Sequence, residues 1–163
     1  MSEITTSTLK TEWRSVGKSI VLNLNRPKAL NSLDNEMCDD ISNKILSWHE
    51  NELPNVFIVK GNGGKSFCAG GDVKSIANKL EQPNKNAENF FRSEYKMNYL
   101  LGTSKVPQVS LWDGIVMGGG VGLSVYGKFR IATEKSLFAM PECAIGIFPD
   151  VGASWFLPRL PGK

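Results

Sequence analysis

Apolar and polar positions follow two rhythms along this chain. Ser19-Ile20-Val21-Leu22-Asn23-Leu24 reads as a strand, and Arg26-Pro27 stops it because proline has no N–H to offer a ladder. Met37, Ile41, Ile45 and Trp48 then recur at the spacing of one helix face, with Ser32 or Asp34 placed near the N-cap. Pro54 precedes a continuous apolar run, Val56-Phe57-Ile58-Val59, that predicts a buried strand. A loop is expected from Gly61 to Gly71, opening into a helix from Val73 to Leu80. The polar stretch Glu81 to Asn86 predicts a surface linker, and Phe90, Phe91, Tyr95 and Leu101 a longer helix. Pro107 leads into a strand from Gln108 to Trp112, and the glycines at 118–120 begin a helix through Val125. Short strands are expected at Phe129–Ala132 and Leu137–Ala139, and a last helix from Val151 to Leu157. Strands alternating with helices predict an α/β fold.

Composition narrows the function classes. The 163 residues suffice for one domain with a real core, and 41% hydrophobic with 21% charged residues is ordinary for a globular chain. A net charge of +3 is not the dense basic stripe of a nucleic-acid binder, so no nucleic-acid partner is expected. Cys38, Cys68 and Cys143 form no disulfide framework and no metal-binding pair, and they suit a reducing compartment. No apolar run has the length needed to cross a bilayer, and Met1 to Leu9 resemble neither a secretory signal nor a clear transit peptide. The apolar ending, through Pro158-Arg159-Leu160-Pro161-Gly162-Lys163, reads as a cut through a longer protein.

Two glycine clusters carry the candidate chemistry. Phe67-Cys68-Ala69-Gly70-Gly71-Asp72 and Met117-Gly118-Gly119-Gly120-Val121-Gly122 each follow an apolar, strand-like stretch. Glycine lets a backbone N–H approach a ligand closely, and two such loops aimed at one oxygen make an oxyanion hole. Taken singly, either cluster reads more often as a tight turn. Several chemistries fail on the residues present. His49 is the one histidine and reads as a surface residue, which removes a Ser-His-Asp triad, and no G-x-S-x-G elbow occurs. The Gly61–Ser66 run lacks the first glycine of a phosphate loop, because Val59 stands there. Gly118-Gly119-Gly120 fails the dinucleotide pattern at Leu123, and metal-ligand spacing is absent. Among the acids, Glu142 sits in apolar company, where partial burial raises its pKa and suits it to proton transfer. Asp150, read alone, favours a helix N-cap and Glu94 a solvated helix position.

These motifs, in this order, resemble the crotonase superfamily, whose members act on acyl-coenzyme A thioesters. The likeness runs from about Ile20 to Lys163 and rests on Asn25-Arg26-Pro27-Lys28-Ala29-Leu30-Asn31, Ser66 to Asp72, and Asp113-Gly114 with Gly118-Gly119-Gly120. It implies a crotonase-like α/β fold with a repeated ββα spiral core. Residues 1–163 would be the N-terminal portion of a single acyl-CoA-binding domain whose C-terminal helical part is missing. It also implies that the N–H groups of Gly71 and Gly119 form the oxyanion hole, and that Lys28, Ala29, Leu30 and Ala69 lie along coenzyme A. Enoyl-CoA hydratases carry a glutamate three residues after the oxyanion glycine. Here that position is Gly122, while their second glutamate falls on Glu142.

The runs Gly114 to Val125, Phe138 to Gly146, Phe148-Pro149-Asp150-Val151-Gly152 and Phe91-Arg92-Ser93-Glu94-Tyr95 resemble the 3-hydroxyisobutyryl-CoA hydrolases, which serve valine breakdown. This resemblance implies that Glu94, Gly119, Glu142 and Asp150 line the substrate site, with Glu142 and Asp150 catalytic. Glu142 would either attack the thioester carbonyl or activate a water. Gly152-Ala153-Ser154-Trp155 departs from the hydrolase pattern, where bulk would narrow or reshape the acyl pocket. Coenzyme A enters as part of the substrate, and no separate cofactor is expected. A mitochondrial location and a homo-oligomer follow by analogy only. The alternatives are an enoyl-CoA hydratase or isomerase, and a truncated, non-catalytic CoA-ester-binding module.

Overall fold

The computed structural model describes residues 5–7, 10–48, 53–80 and 88–160. His49 and the expected linker at 81–86 lie outside them. Nine strands and five α-helices follow in chain order: β1 (Thr5–Ser7), β2 (Thr11–Val16), β3 (Ser19–Leu24), α1 (Asn35–Ser47), β4 (Val56–Gly61), β5 (Ser66–Cys68), α2 (Val73–Leu80), α3 (Glu88–Thr103), β6 (Gln108–Trp112), β7 (Ile115–Met117), α4 (Gly119–Ser124), β8 (Phe129–Ala132), β9 (Leu137–Ala139) and α5 (Ala153–Phe156). Three short 3-10 turns stand at Pro27–Ala29, Glu142–Ile145 and Leu157–Arg159.

The strands divide between two sheets. One has six strands in the order β1-β2-β3-β4-β6-β8, and the other has three in the order β5-β7-β9. β1, β2 and β3 pair antiparallel, and every later pairing is parallel. Each winding of the chain therefore lays one strand in each sheet before turning back: β4 then β5, β6 then β7, β8 then β9. The α/β expectation and the repeated ββα core are both present in this order.

The core runs from the larger sheet through α1 and α3 to β5 and α4. In β3, Leu22 and Leu24 are buried, and in β4 Phe57 and Val59, every second residue as the pleat requires. α1 answers with Met37, Cys38, Ile41 and Ile45, and Trp48 follows at its C-cap. Trp13 stacks on Phe57 at 5.8 Å, and Trp48 meets the same ring edge-on at 5.3 Å. Asp34 is the N-cap, its side chain accepting the Met37 N–H at 3.1 Å.

Several expected boundaries need correction. The loop expected from Gly61 to Gly71 contains β5, three residues that hold their place by pairing with β7 rather than by any alternation of their own. The final helix begins at Ala153 rather than Val151, with Gly152 as its N-cap at φ +82°. Asp150 is thus not the N-cap. It belongs to the preceding turn, where its carbonyl accepts the Ala153 N–H at 2.8 Å.

Candidate active site

The second sheet sets out the site. Gly71 lies just beyond β5, Gly119 just beyond β7, and Glu142 just beyond β9. These are corresponding places in three successive windings. Parallel pairing of Cys68 with Val116 and of Met117 with Ala139 draws them together at about the 4.8 Å spacing of neighbouring strands.

The two amides converge. A Cβ built on Gly119 would stand 3.3 Å from the Gly71 nitrogen, and one on Gly70 would stand 3.4 Å from the Gly119 nitrogen. Gly71 forms a parallel bridge with Leu33, in which Leu33 donates to the Gly70 carbonyl and Asp72 to the Leu33 carbonyl, both at 2.8 Å. That pattern turns the Gly71 N–H away from Leu33. Gly119 is the first residue of α4, so its N–H has no acceptor within the helix. Both amides line one cleft of about 220 Å³ together with Ala69, Glu94, Glu142 and Asp150.

The glycine run is a matter of space as well as donors. A Cβ on Gly118, which sits at φ +48°, would stand 2.6 Å from Glu142 Oε1, and one on Gly119 would overlap Glu94 Oε1. Any side chain here would displace a carboxylate. On the other side of the cleft, Phe90 packs against Gly71, its ring 2.8 Å from where a Cβ would lie.

Below Gly71 a polar lattice fixes the loop. Pro27 opens the 3-10 turn, and Leu30 and Asn31 follow at φ +53° and +56°. The buried Asn31 amide donates to the carbonyls of Asn62 and Ser66 at 2.9 and 2.8 Å, while its oxygen accepts the Arg26 N–H at 2.9 Å. Arg26 donates to the Ser32 carbonyl at 2.7 Å and to Asp72 at 2.8 Å. Ala69 donates to the Leu30 carbonyl at 3.1 Å, which sets the Lys28–Leu30 stretch beside the Gly70-Gly71 loop. Lys28, Ala29 and Leu30, expected along coenzyme A, are not among the residues that line the cleft, whereas Ala69 is.

Three carboxyls face the cleft. Glu94, which read alone suggested a solvated position and by resemblance a place in the substrate site, is buried at 2% exposure and lines the cleft. Its Oε1 has no hydrogen-bond partner among the described residues, and the same holds for Glu142 Oε2. Burial first, then the nearby charges of Asp150 and Glu142, push the Glu94 carboxyl up to about 8. Burial also raises Glu142, with Asp150 adding to the effect. Asp150 Oδ2 accepts the Tyr95 hydroxyl proton at 2.7 Å. A carboxylate with a raised pKa beside two backbone N–H groups is equipped for nucleophilic attack, or for taking a proton from water, next to a polarised carbonyl.

Sequence reasoning assigned no role to Tyr95 or Phe90. The signal that places Glu94 was present: it falls four residues after Phe90 and three before Met97, on the buried stripe of α3. Trp155 does not narrow this cleft. It is 58% exposed and lines a wider, apolar groove of about 1040 Å³ on the other side of Asp150, which holds neither amide and not Glu142.

Comparison with known proteins bears on the family and the fold. The family model described as Enoyl-CoA hydratase/isomerase matches residues 19–163. The mitochondrial 3-hydroxyisobutyryl-CoA hydrolase of Danio rerio is 52% identical over 151 residues, covering 93% of this chain and 40% of its own length. The small ribosomal subunit protein mS47 of Neurospora crassa is 51% identical over 143 residues, covering 86% of this chain and 28% of its own. Among solved structures, a carnitinyl-CoA dehydratase from Mycobacterium thermoresistibile superposes with a TM-score of 0.89 at 38% identity, covering 96% of this chain and 46% of that one. The chain thus spans less than half the length of each of these relatives. Two parallel sheets fed by the same windings, paired glycine amides between them, and this breadth of agreement place the chain in the enoyl-CoA hydratase/isomerase family of the crotonase superfamily.

Proposed function

We propose that the cleft belongs to a thioester hydrolase acting on 3-hydroxyisobutyryl-CoA and releasing 3-hydroxyisobutyrate and coenzyme A. Gly71 and Gly119 hold the developing oxyanion, each N–H lowering the barrier by about 2.7–4 kcal/mol. Glu142 either attacks the carbonyl carbon, so that the C–S bond breaks and water then hydrolyses the mixed anhydride, or takes a proton from the attacking water directly. Asp150 and Glu94 orient the acyl hydroxyl or the water. Lys28, Ala29, Leu30 and Ala69 run along coenzyme A. The observation that carries this reading is the closeness of the Gly71 and Gly119 amides to Glu142, with Glu94 and Asp150 in the same cleft, while Gly122 supplies no carboxylate where a hydratase carries its other glutamate. The Danio rerio relative's name supports the substrate and the mitochondrial setting, and hence the place in valine breakdown.

Glu142→Gln is expected to lower thiol release roughly 10²–10⁴-fold while binding of the CoA ester persists. Solvent ¹⁸O in the Glu142 carboxyl after one turnover favours the covalent route. Loss of a conjugated enoyl thioester without thiol release would establish the hydratase reading instead. No turnover of any acyl-CoA ester would favour a binding or assembly role, a reading in keeping with a relative named as a ribosomal protein.

A further inference from the structure

The turn that brings Asp150 to the cleft contains an improbable residue. Val151 sits at φ +43°, a left-handed conformation that a β-branched side chain resists. It is nevertheless buried, at 5% exposure. Two features of α4 and its exit hold it there. A Cβ on Gly122 would lie 2.6 Å from Val151 Cβ and 2.9 and 3.0 Å from its two methyl carbons, so the valine occupies the space any side chain at 122 would need. One turn further on, the Tyr126 hydroxyl donates to the Val151 carbonyl at 2.6 Å. Gly152 follows at φ +82°, and a Cβ there would overlap the same hydroxyl. The Tyr126 ring is itself held edge-on against Phe156 at 6.4 Å. Asp150, at the head of this braced turn, reaches Tyr95 at 2.7 Å.

We propose that Gly122 and Tyr126 are positioning residues for Asp150: the first leaves the room in which Val151 is seated, and the second pins the Val151 carbonyl so that the strained turn holds Asp150 at the cleft. One short helix then sets both ends of the site, with the Gly119 amide at its start and the seat of the Asp150 turn beyond. A glutamate at 122 and this turn are mutually exclusive, so residue 122 selects which carboxylate faces the substrate. The proposal rests on the reading of Asp150 as a substrate-orienting group.

The test uses the full expressed chain. Gly122→Ala is expected to displace Asp150 from Tyr95 in a crystal structure and to lower kcat for thiol release roughly 10²-fold with little change in KM. Adding Val151→Gly, which removes both the methyls and the objection to positive φ, is expected to restore most of that loss. Tyr126→Phe removes one oxygen and is expected to lower kcat roughly tenfold, with the thermal midpoint lowered by only a few degrees, so that the chain stays folded at the assay temperature. An undisplaced Asp150 with wild-type kcat in Gly122→Ala, or a double variant as impaired as the single one, overturns the proposal. If Gly122→Ala does not fold, unchanged kcat in Tyr126→Phe overturns it alone. If the wild-type chain releases no thiol, the proposed function fails, and the position of Asp150 in Gly122→Ala still decides the positioning.

Discussion

Glu94 stands where the stripe of α3 calls for a leucine. Phe90, Met97 and Leu101 bury the same face, and Oε1 of the carboxyl between them meets no donor among the described residues. Its unfolded value near 4.5 rises to about 8 in the fold. Native Glu94 therefore keeps a proton that the unfolded chain has already lost. Its contribution to stability is complete below about pH 4.5 and disappears as pH climbs through about 8. Glu94→Gln, which keeps the shape and drops the titration, is expected to flatten this decline when urea midpoints are compared across that range. The same ionisation puts negative charge beside the Gly119 amide. An alkaline fall in thiol release near pH 8 is therefore expected in the wild type and absent in Glu94→Gln.

Elements differ in how much of themselves they declare. α1 was legible from its stripe and its cap, because a helix of 13 residues closes most of its bonds internally and shows its buried face at fixed spacing. Asp34→Ala removes the cap and one partner of Lys10, and is expected to cost about 1–2 kcal/mol in denaturant unfolding while leaving the cleft intact. β2 was not legible. Its sequence, Thr-Glu-Trp-Arg-Ser-Val, looks polar, yet Thr11 and Trp13 turn inward, and both donate to Asp40 at 2.6 Å. The three-residue strands β5 and β7 are too short to show a period and exist through each other. The candidate site was legible as a set of motifs, and the spacing of Glu94 with Phe90 and Met97 carried the signal for its burial, whereas the strained turn at Val151 was not legible. That turn depends on contacts between segments distant in sequence.

At the scale of the molecule, the two sheets end in strands with no further partner among the described residues: β8 in the larger and β9 in the smaller. All four residues of β8 are exposed, Phe129 and Ile131 by half, and Leu137 and Phe138 of β9 are open as well. An apolar open edge invites pairing with another chain. Ile131→Lys is expected to suppress concentration-dependent association in light scattering without changing the cleft, which lies on the other sheet.

The winding pattern also bears on how such a scaffold acquires new reactions. In the proposed reaction, two coils contribute passive dipoles, and the third contributes the reactive carboxyl at a matching address. An altered third coil inherits a finished electrostatic cradle and need supply only its own functional group, so chemistry can diversify here by editing single laps of the spiral.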